Sequence, residues 1–109
     1  MQIKIKATQL ELTDSIKNYI QEKMDMLDKY LGSIKVTNCD FEIEKTKSNQ
    51  NKGKIFRAEV NLSIPGEMIR IEKTANDLYK SIDKVKDHLP RSIKRYKEKR
   101  RDKKRQTNK

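Results

Sequence analysis

The sequence predicts an α+β fold in two layers, with the element order β-α-β-β-β-α and a four-stranded sheet that carries both helices on one face. Four short segments alternate apolar and polar residues, and two longer segments repeat apolar residues at helical intervals. Each segment has a single apolar face. Two layers bury such faces most economically, so the second face of the sheet is expected to face water.

The four predicted strands are separated by turn signals. The first is "QIKIKA" (residues 2–7), and the second is "SIKVTNCDFEIEK" (residues 33–45), which needs a bulge near Thr37 and Asn38 because its apolar phase slips there. The polar stretch over residues 46–53 is expected to be a flexible loop. "KIFRAEVNLSI" and "EMIRIEKT" follow as a hairpin, because the Pro-Gly pair between them fits a type II turn.

The first predicted helix runs from Thr13, its N-cap, to Gly32, its C-terminal stop. The second follows "TAND" (residues 74–77), which matches the pattern of a capping box. Both helices carry a narrow apolar stripe that is expected to pack on the sheet. The first stripe contains Ile16, Ile20, Met24, Leu27 and Leu31, and the second contains Leu78, Ile82, Val85, Leu89, Ile93 and Tyr96.

The second helix is expected to change character along its length. Pro90 lies inside it and is expected to kink or loosen it, because proline has no backbone N–H. Residues 99–109 contain no apolar side chain and are expected to be disordered. The sequence therefore predicts one α+β domain over residues 1–98 and a basic tail over residues 99–109.

Positive charge is concentrated at one end of the chain. Residues 78–109 hold 14 Lys and Arg against 4 Asp and Glu, whereas residues 1–77 hold 13 against 12. This distribution predicts a partner with dense negative charge, either nucleic acid or an anionic membrane surface. No stretch approaches the roughly 20 apolar residues of a membrane span, and the opening residues lack a signal peptide. A soluble, cytoplasmic protein is expected.

Enzymatic chemistry is not predicted. His88 is the only histidine and Cys39 the only cysteine, so a metal cluster would have to be built from carboxylates alone. Cys39 has the phase of a core residue and is expected to be buried. Three glycines are too few for a phosphate-binding loop, and no cofactor is expected.

The second helix is predicted to carry a row of cations opposite its apolar stripe. At about 100° per residue, these cations fall on the side of the helix that faces away from Ile82, in a row about 20 Å long. The members of the row are Lys80, Lys84, Arg91 and Arg95, with Lys94 just beside them. Such a row can follow a phosphate backbone.

The segment "NDLYKSIDKVKDHLPRSIKRYK" resembles the signature of the ribosome hibernation promoting factor and ribosome-associated inhibitor family. The matching positions are Asp77, Leu78, Tyr79, Ser81, Ile82 and Asp83, followed by Leu89 and Arg91. The opening strand and helix are also similar, so the resemblance covers residues 1 to about 98. It implies the same β-α-β-β-β-α fold and the short form of the family, without the second, dimerising domain.

The resemblance implies a function as well as a fold. Members bind ribosomal RNA of the small ribosomal subunit in the channel of messenger and transfer RNA, compete with both, and silence idle ribosomes in resting or stressed cells. They are not enzymes, and a free monomer is expected. Carried over by position, the resemblance implies contacts at Lys23, Lys29, Arg91 and Arg95. Together with the cationic row, the expected rRNA-binding set is Lys23, Lys29, Lys80, Lys84, His88, Arg91, Lys94 and Arg95.

Two other functions are compatible with the charge pattern. A general double-stranded RNA-binding module also lays two helices on one face of an antiparallel sheet, but its usual α-β-β-β-α order lacks the leading strand predicted here. A peripheral membrane protein would use the basic tail on anionic lipid. Residues 99–109 have no Trp, Phe or Leu to insert into a bilayer, which argues against this function.

Overall fold

The elements observed follow the predicted order, with one additional helical turn. The computed structural model describes residues 1–46 and 55–107, with side chains through Asp102. The strands are β1 (Lys4–Thr8), β2 (Asn38–Lys45), β3 (Phe56–Ile64) and β4 (Glu67–Ala75), and the helices are α1 (Asp14–Asp25), α2 (Asp28–Leu31) and α3 (Leu78–Thr107).

The sheet has the order β1-β2-β3-β4 and confirms the predicted architecture. β1 pairs parallel to β2, with α1 and α2 in the connection between them, and the other two pairs are antiparallel. β3 and β4 form the predicted hairpin. Gly66 has φ +80, as the third position of a type II turn requires.

A single hydrophobic core lies between the sheet and the helices. The apolar stripes of both predicted helices are buried in it, together with the inward side chains of β2, β3 and β4. Cys39 is 1% exposed, which confirms its predicted place in the core. Burial raises the pKa of the Cys39 thiol to about 11, so the thiol is protonated and inert at neutral pH.

The second strand is shorter than predicted, and the predicted bulge is wrong. β2 begins only at Asn38. Ile34 and Val36 lie in the connection before it, half-buried against the core. The backbone N–H of Thr37 donates to the carbonyl oxygen of Ser63 at 2.9 Å. This hydrogen bond joins the end of the connection to β3, just before β2 begins. The two apolar phases therefore belong to two different segments, a packed connection and a strand.

The first predicted helix is divided into α1 and α2. Its N-cap is confirmed, because Thr13 Oγ1 accepts from the N–H of Ile16 at 3.2 Å. After Asp25 the chain makes a tighter turn, in which the N–H of Leu27 donates to the carbonyl oxygen of Met24. α2 then ends at Gly32, which has φ +57. Glycine adopts this left-handed conformation without the steric cost of a side chain.

The capping box predicted at residues 74–77 is wrong. Thr74 belongs to β4, and α3 begins at Leu78. The cap is Asp77, whose Oδ1 accepts from the N–H of Tyr79 at 2.8 Å. The spacing of Thr74 and Asp77 matches a capping box, but β4 continues through Ala75, so Thr74 is part of the strand and cannot be the N-cap. Asp77 occupies the N-cap position instead.

α3 is continuous and longer than the sequence predicts. Pro90 does not end it, and the helix runs to Thr107, whereas a disordered tail is predicted from residue 99. Lys, Arg, Glu and Gln have good helix propensity, and no Gly or Pro follows Pro90 to stop the helix. Arg100 also contacts the β3–β4 turn, donating to the carbonyl oxygen of Pro65 at 3.2 Å.

Two further observations complete the fold. Beyond Thr46, the predicted loop over residues 46–53 lies outside the described residues. Within residues 1–46 and 55–107, no helix combines the length and the apolar character needed to cross a bilayer.

Candidate nucleic-acid interface

One face of α3 packs on the sheet, and the opposite face carries basic side chains. The apolar stripe is buried, whereas the five basic residues predicted opposite it are exposed. These five, called the α3 ridge below, are Lys80, Lys84, Arg91, Lys94 and Arg95. The narrow stripe leaves more than half of the helix circumference free for them.

The turn formed by α2 lies against the middle of α3, and the two enclose a groove of about 340 Å³. The residues that line this α2–α3 groove are Lys29, Tyr30, Pro90, Arg91, Ile93, Lys94 and Lys97. Leu27 and Leu31 are buried and hold the inner side of α2. Lys29 and Tyr30 are exposed on its outer side. The fold therefore brings Lys29 next to Arg91 and Lys94.

A tyrosine cluster joins α1 to α3. The hydroxyl of Tyr19 donates to Asp83 Oδ1 at 2.6 Å, and this hydrogen bond raises the pKa of Tyr19 to about 12. The ring of Tyr19 meets that of Tyr79 edge to face, with 4.7 Å between centroids. Lys23 Nζ lies 5.1 Å from the Tyr19 centroid. The cluster thus joins the middle of α1 to the first turns of α3, and Lys23 lies one helical turn beyond it.

None of the five cations of the α3 ridge has a carboxylate oxygen within 4.0 Å among the described residues. Lys84 Nζ donates to the carbonyl oxygen of Thr74 at 2.9 Å, so this side chain is directed toward the end of β4. Arg91 and Lys94 instead line the α2–α3 groove, where Lys29 adds a further positive charge.

His88 lies beside the ridge without adding to its charge at neutral pH. Its side chain is half-buried, and its Nδ1 is buried with no hydrogen-bond partner among the described residues. Burial, followed by the nearby charges of Lys73, Arg91 and Arg95, lowers the pKa of His88 below its ordinary value of 6.5. The imidazole is therefore neutral at pH 7.

Sequence reasoning missed three residues of this surface. Lys97 lines the groove. In the sequence it falls near the edge of the apolar stripe, so it is not part of the predicted cationic row. Tyr30 lines the groove beside Lys29, on the exposed side of α2. Lys73 lies close enough to His88 to affect its titration. No local pattern identifies Tyr30 or Lys73, because their neighbours come from α3.

The fold and this surface define a small basic α+β domain whose cations are concentrated on one long helix. Residues 3–101 match the family described as Sigma 54 modulation protein / S30EA ribosomal protein, and the chain belongs to this family.

Curated relatives agree with this assignment. A protein of Deinococcus radiodurans named ribosome hibernation promotion factor is 32% identical over 88 residues, which are 81% of this chain and 44% of that protein. A Staphylococcus aureus protein of the same name is 30% identical over 97 residues, 89% of this chain and 48% of that protein. The chain spans about half the length of the curated relatives it matches.

Solved structures share the fold. The N-terminal domain of Thermus thermophilus Protein Y superposes with a TM-score of 0.73 at 29% identity, over 88% of this chain and 99% of that one. A ribosomal subunit interface protein from Coxiella burnetii also gives a TM-score of 0.73, over 89% of this chain and 98% of that one. Its identity is 20%, so this second likeness concerns the fold alone.

Proposed function

We propose that this protein is a hibernation factor that binds the small ribosomal subunit in the channel of messenger and transfer RNA. Bound there, it excludes both RNAs and inhibits translation in resting or stressed cells. It acts in the cytoplasm and is a monomer when free. The proposed contacts with ribosomal RNA are made by the α3 ridge, by Lys23, Lys29 and Lys97, and by the exposed part of the neutral His88 ring.

The observation that carries this proposal is the uncompensated charge around the α2–α3 groove. Lys29 from one helix and Arg91 and Lys94 from another line a single groove. Phosphate groups are attracted by such a cluster, and the packed helices hold the cations in place before binding. The names of the Deinococcus and Staphylococcus relatives support the ribosome as the target.

Sedimentation with ribosomal particles tests the proposal. The purified protein is mixed with small subunits, large subunits, duplex RNA and anionic vesicles at physiological salt. We expect stoichiometric recovery with the small subunit alone, and inhibition of an in vitro translation reaction at equal protein and ribosome concentrations. Added initiator transfer RNA should release the protein.

Three results would contradict the proposal. Equal binding to duplex RNA would favour a general double-stranded RNA-binding module. Binding to vesicles alone would favour a membrane-surface protein. Translation at full rate with the protein bound to the small subunit would mean that the contact lies outside the channel.

A further inference from the structure

The α2–α3 groove contains an aromatic ring that a purely ionic surface does not require. Tyr30 is 40% exposed, although most of the apolar side chains in the described part of the chain are buried or half-buried. Its backbone N–H donates to the carbonyl oxygen of Leu27 at 2.9 Å, so the turn of α2 fixes its position. Across the groove lie the half-buried ring of Pro90 and the side chain of Ile93.

Cations surround the apolar part of the groove, which is formed by Tyr30, Pro90 and Ile93. Lys29 Nζ lies 5.1 Å from the centroid of the Tyr30 ring. Arg91, Lys94 and Lys97 stand along the α3 wall, and the groove lining includes no acidic side chain. The volume of about 340 Å³ is at the lower end of the range for small-ligand sites, about 300–1,000 Å³.

An aromatic face with a rim of cations has the chemistry of a nucleotide site. The π-face of a base stacks on a tyrosine ring, and the phosphate on either side of that base is neutralised by lysine or arginine. Duplex RNA offers phosphates but keeps its bases stacked inside the helix. Single-stranded RNA offers both groups at once.

We propose that the α2–α3 groove holds one unstacked base of single-stranded RNA against Tyr30, with the adjacent phosphates on Lys29, Lys94 and Lys97. This inference rests on the proposed function and specifies its contact: one part of the target must be an unpaired nucleotide. Tyr30 is then a binding residue in its own right and more than a spacer between lysines.

The absence of tryptophan from the chain makes a direct test available. In Tyr30→Trp the indole is the sole tryptophan, and stacking of a base quenches its fluorescence. We expect a single-stranded oligouridine to quench this emission, and the same length of duplex RNA to quench it little at equal phosphate concentration. Equal quenching by duplex RNA would overturn the inference. Equal quenching by polyglutamate would also overturn it and would indicate an acidic protein segment as the occupant.

Affinity measurements give the second arm of the test. Base stacking of ordinary strength predicts that Tyr30→Leu lowers affinity for the oligouridine and for the small subunit by about 5- to 150-fold. Tyr30→Phe keeps the ring and should stay within about 2-fold of the parent. Met68→Ala is the control, because Met68 is 58% exposed and lies on the open face of the sheet. Circular dichroism confirms folding.

The outcomes separate this inference from the proposed function. If Tyr30→Leu binds the subunit like the parent while the ridge cations remain essential, the stacking site is wrong and the proposed function stands. If the parent fails to bind subunits but Tyr30→Trp is quenched by the single strand, the proposed function is wrong and the stacking site stands.

Discussion

Glu59 is a buried carboxylate on the face of the sheet that lies opposite the helices. It is 9% exposed, and Arg70 donates to its Oε2 from two nitrogens at 2.8 and 3.0 Å. Burial by itself would raise the pKa of Glu59. The hydrogen bonds and charge of Arg70, together with the charge of Arg57, lower it below the ordinary value of 4.5. The native state therefore favours the ionised carboxylate.

This pair predicts a pH-dependent effect of Arg70→Gln. A lowered pKa in the folded state stabilises the protein above about pH 4.5, and this stabilisation is lost as the pH falls through the folded value. We expect the variant to melt at a lower temperature than the parent at pH 7, and the two melting temperatures to converge at acid pH. Thermal unfolding from pH 7 to pH 3 measures the difference. A constant difference across this range would contradict the account.

At the residue scale, sequence pattern identifies exposed cations and does not identify their neighbours. The helical period correctly predicts that Arg91, Lys94 and Arg95 face away from the core. It cannot predict that Lys84 bonds to the carbonyl oxygen of Thr74, because that contact depends on where β4 ends. For the same reason His88 is predicted as an rRNA contact from its position, and the sequence does not show that the fold buries its Nδ1 and keeps the imidazole neutral.

The elements themselves were predictable because each has one apolar face. Alternation over β3 and β4 and the stripe of α3 correspond to the buried residues observed. Boundaries were less predictable where two segments share an apolar pattern. Leu27 and Leu31 continue the stripe of α1 across the break before α2, so the break leaves no trace in the periodicity. The α2–α3 groove lies between α2 and α3, and the periodicity of either helix alone does not predict it.

At the scale of a single element, Pro90 is the residue whose conformational preference conflicts most clearly with its place, which is inside α3. α3 is continuous through it, although a proline in a helix interior removes one backbone donor and crowds the preceding turn. Pro90→Ala restores the N–H that the carbonyl of Lys86 lacks. We expect the free energy of unfolding to rise by about 2 kcal/mol, the cost of the proline less its effect on the unfolded chain.

Urea unfolding measures this change. Ser92→Ala is the control, since it alters the same half of α3 without changing a backbone donor, and it should shift stability by less than about 0.5 kcal/mol. A lower stability of Pro90→Ala would contradict the prediction and would show that the packing of Pro90 in the groove outweighs the missing hydrogen bond.

At the scale of the whole molecule, positive charge is divided between the α3 ridge and the chain end. The α3 ridge is anchored by the core through Leu89, Ile93 and Tyr96. Residues 103–109 carry Lys103, Lys104, Arg105 and Lys109 and contain no apolar side chain. Attraction by such charges is screened beyond about 8 Å at physiological salt.

Removal of residues 103–109 should therefore weaken RNA binding by an amount that depends on the salt concentration. We expect weaker binding to the small subunit at low salt and a change of less than about 3-fold at physiological salt. Lys99 and Arg100, which contact Glu67 and Pro65, remain in this variant. A larger loss at physiological salt than at low salt would assign specific binding to the chain end.

The central claim is that fixed cations of α3, and not net charge, bind the small subunit. Arg91→Glu with Arg95→Glu tests it against Lys4→Glu with Lys17→Glu, a control on exposed residues of β1 and α1. Both pairs, like the removal of residues 103–109, change the formal charge by four units. Neither pair alters an apolar core position, so circular dichroism should show native folding for both.

The most direct measurement is the affinity of these variants for the small subunit as a function of salt concentration. If the parent neutralises about six phosphates, its log–log slope should be near −4 to −5. The Arg91 and Arg95 variant should bind about 100-fold more weakly at physiological salt, with a slope reduced by about two. The control should lie within about 3-fold of the parent. Equal losses in the two variants would show that net charge alone drives binding and would contradict the account.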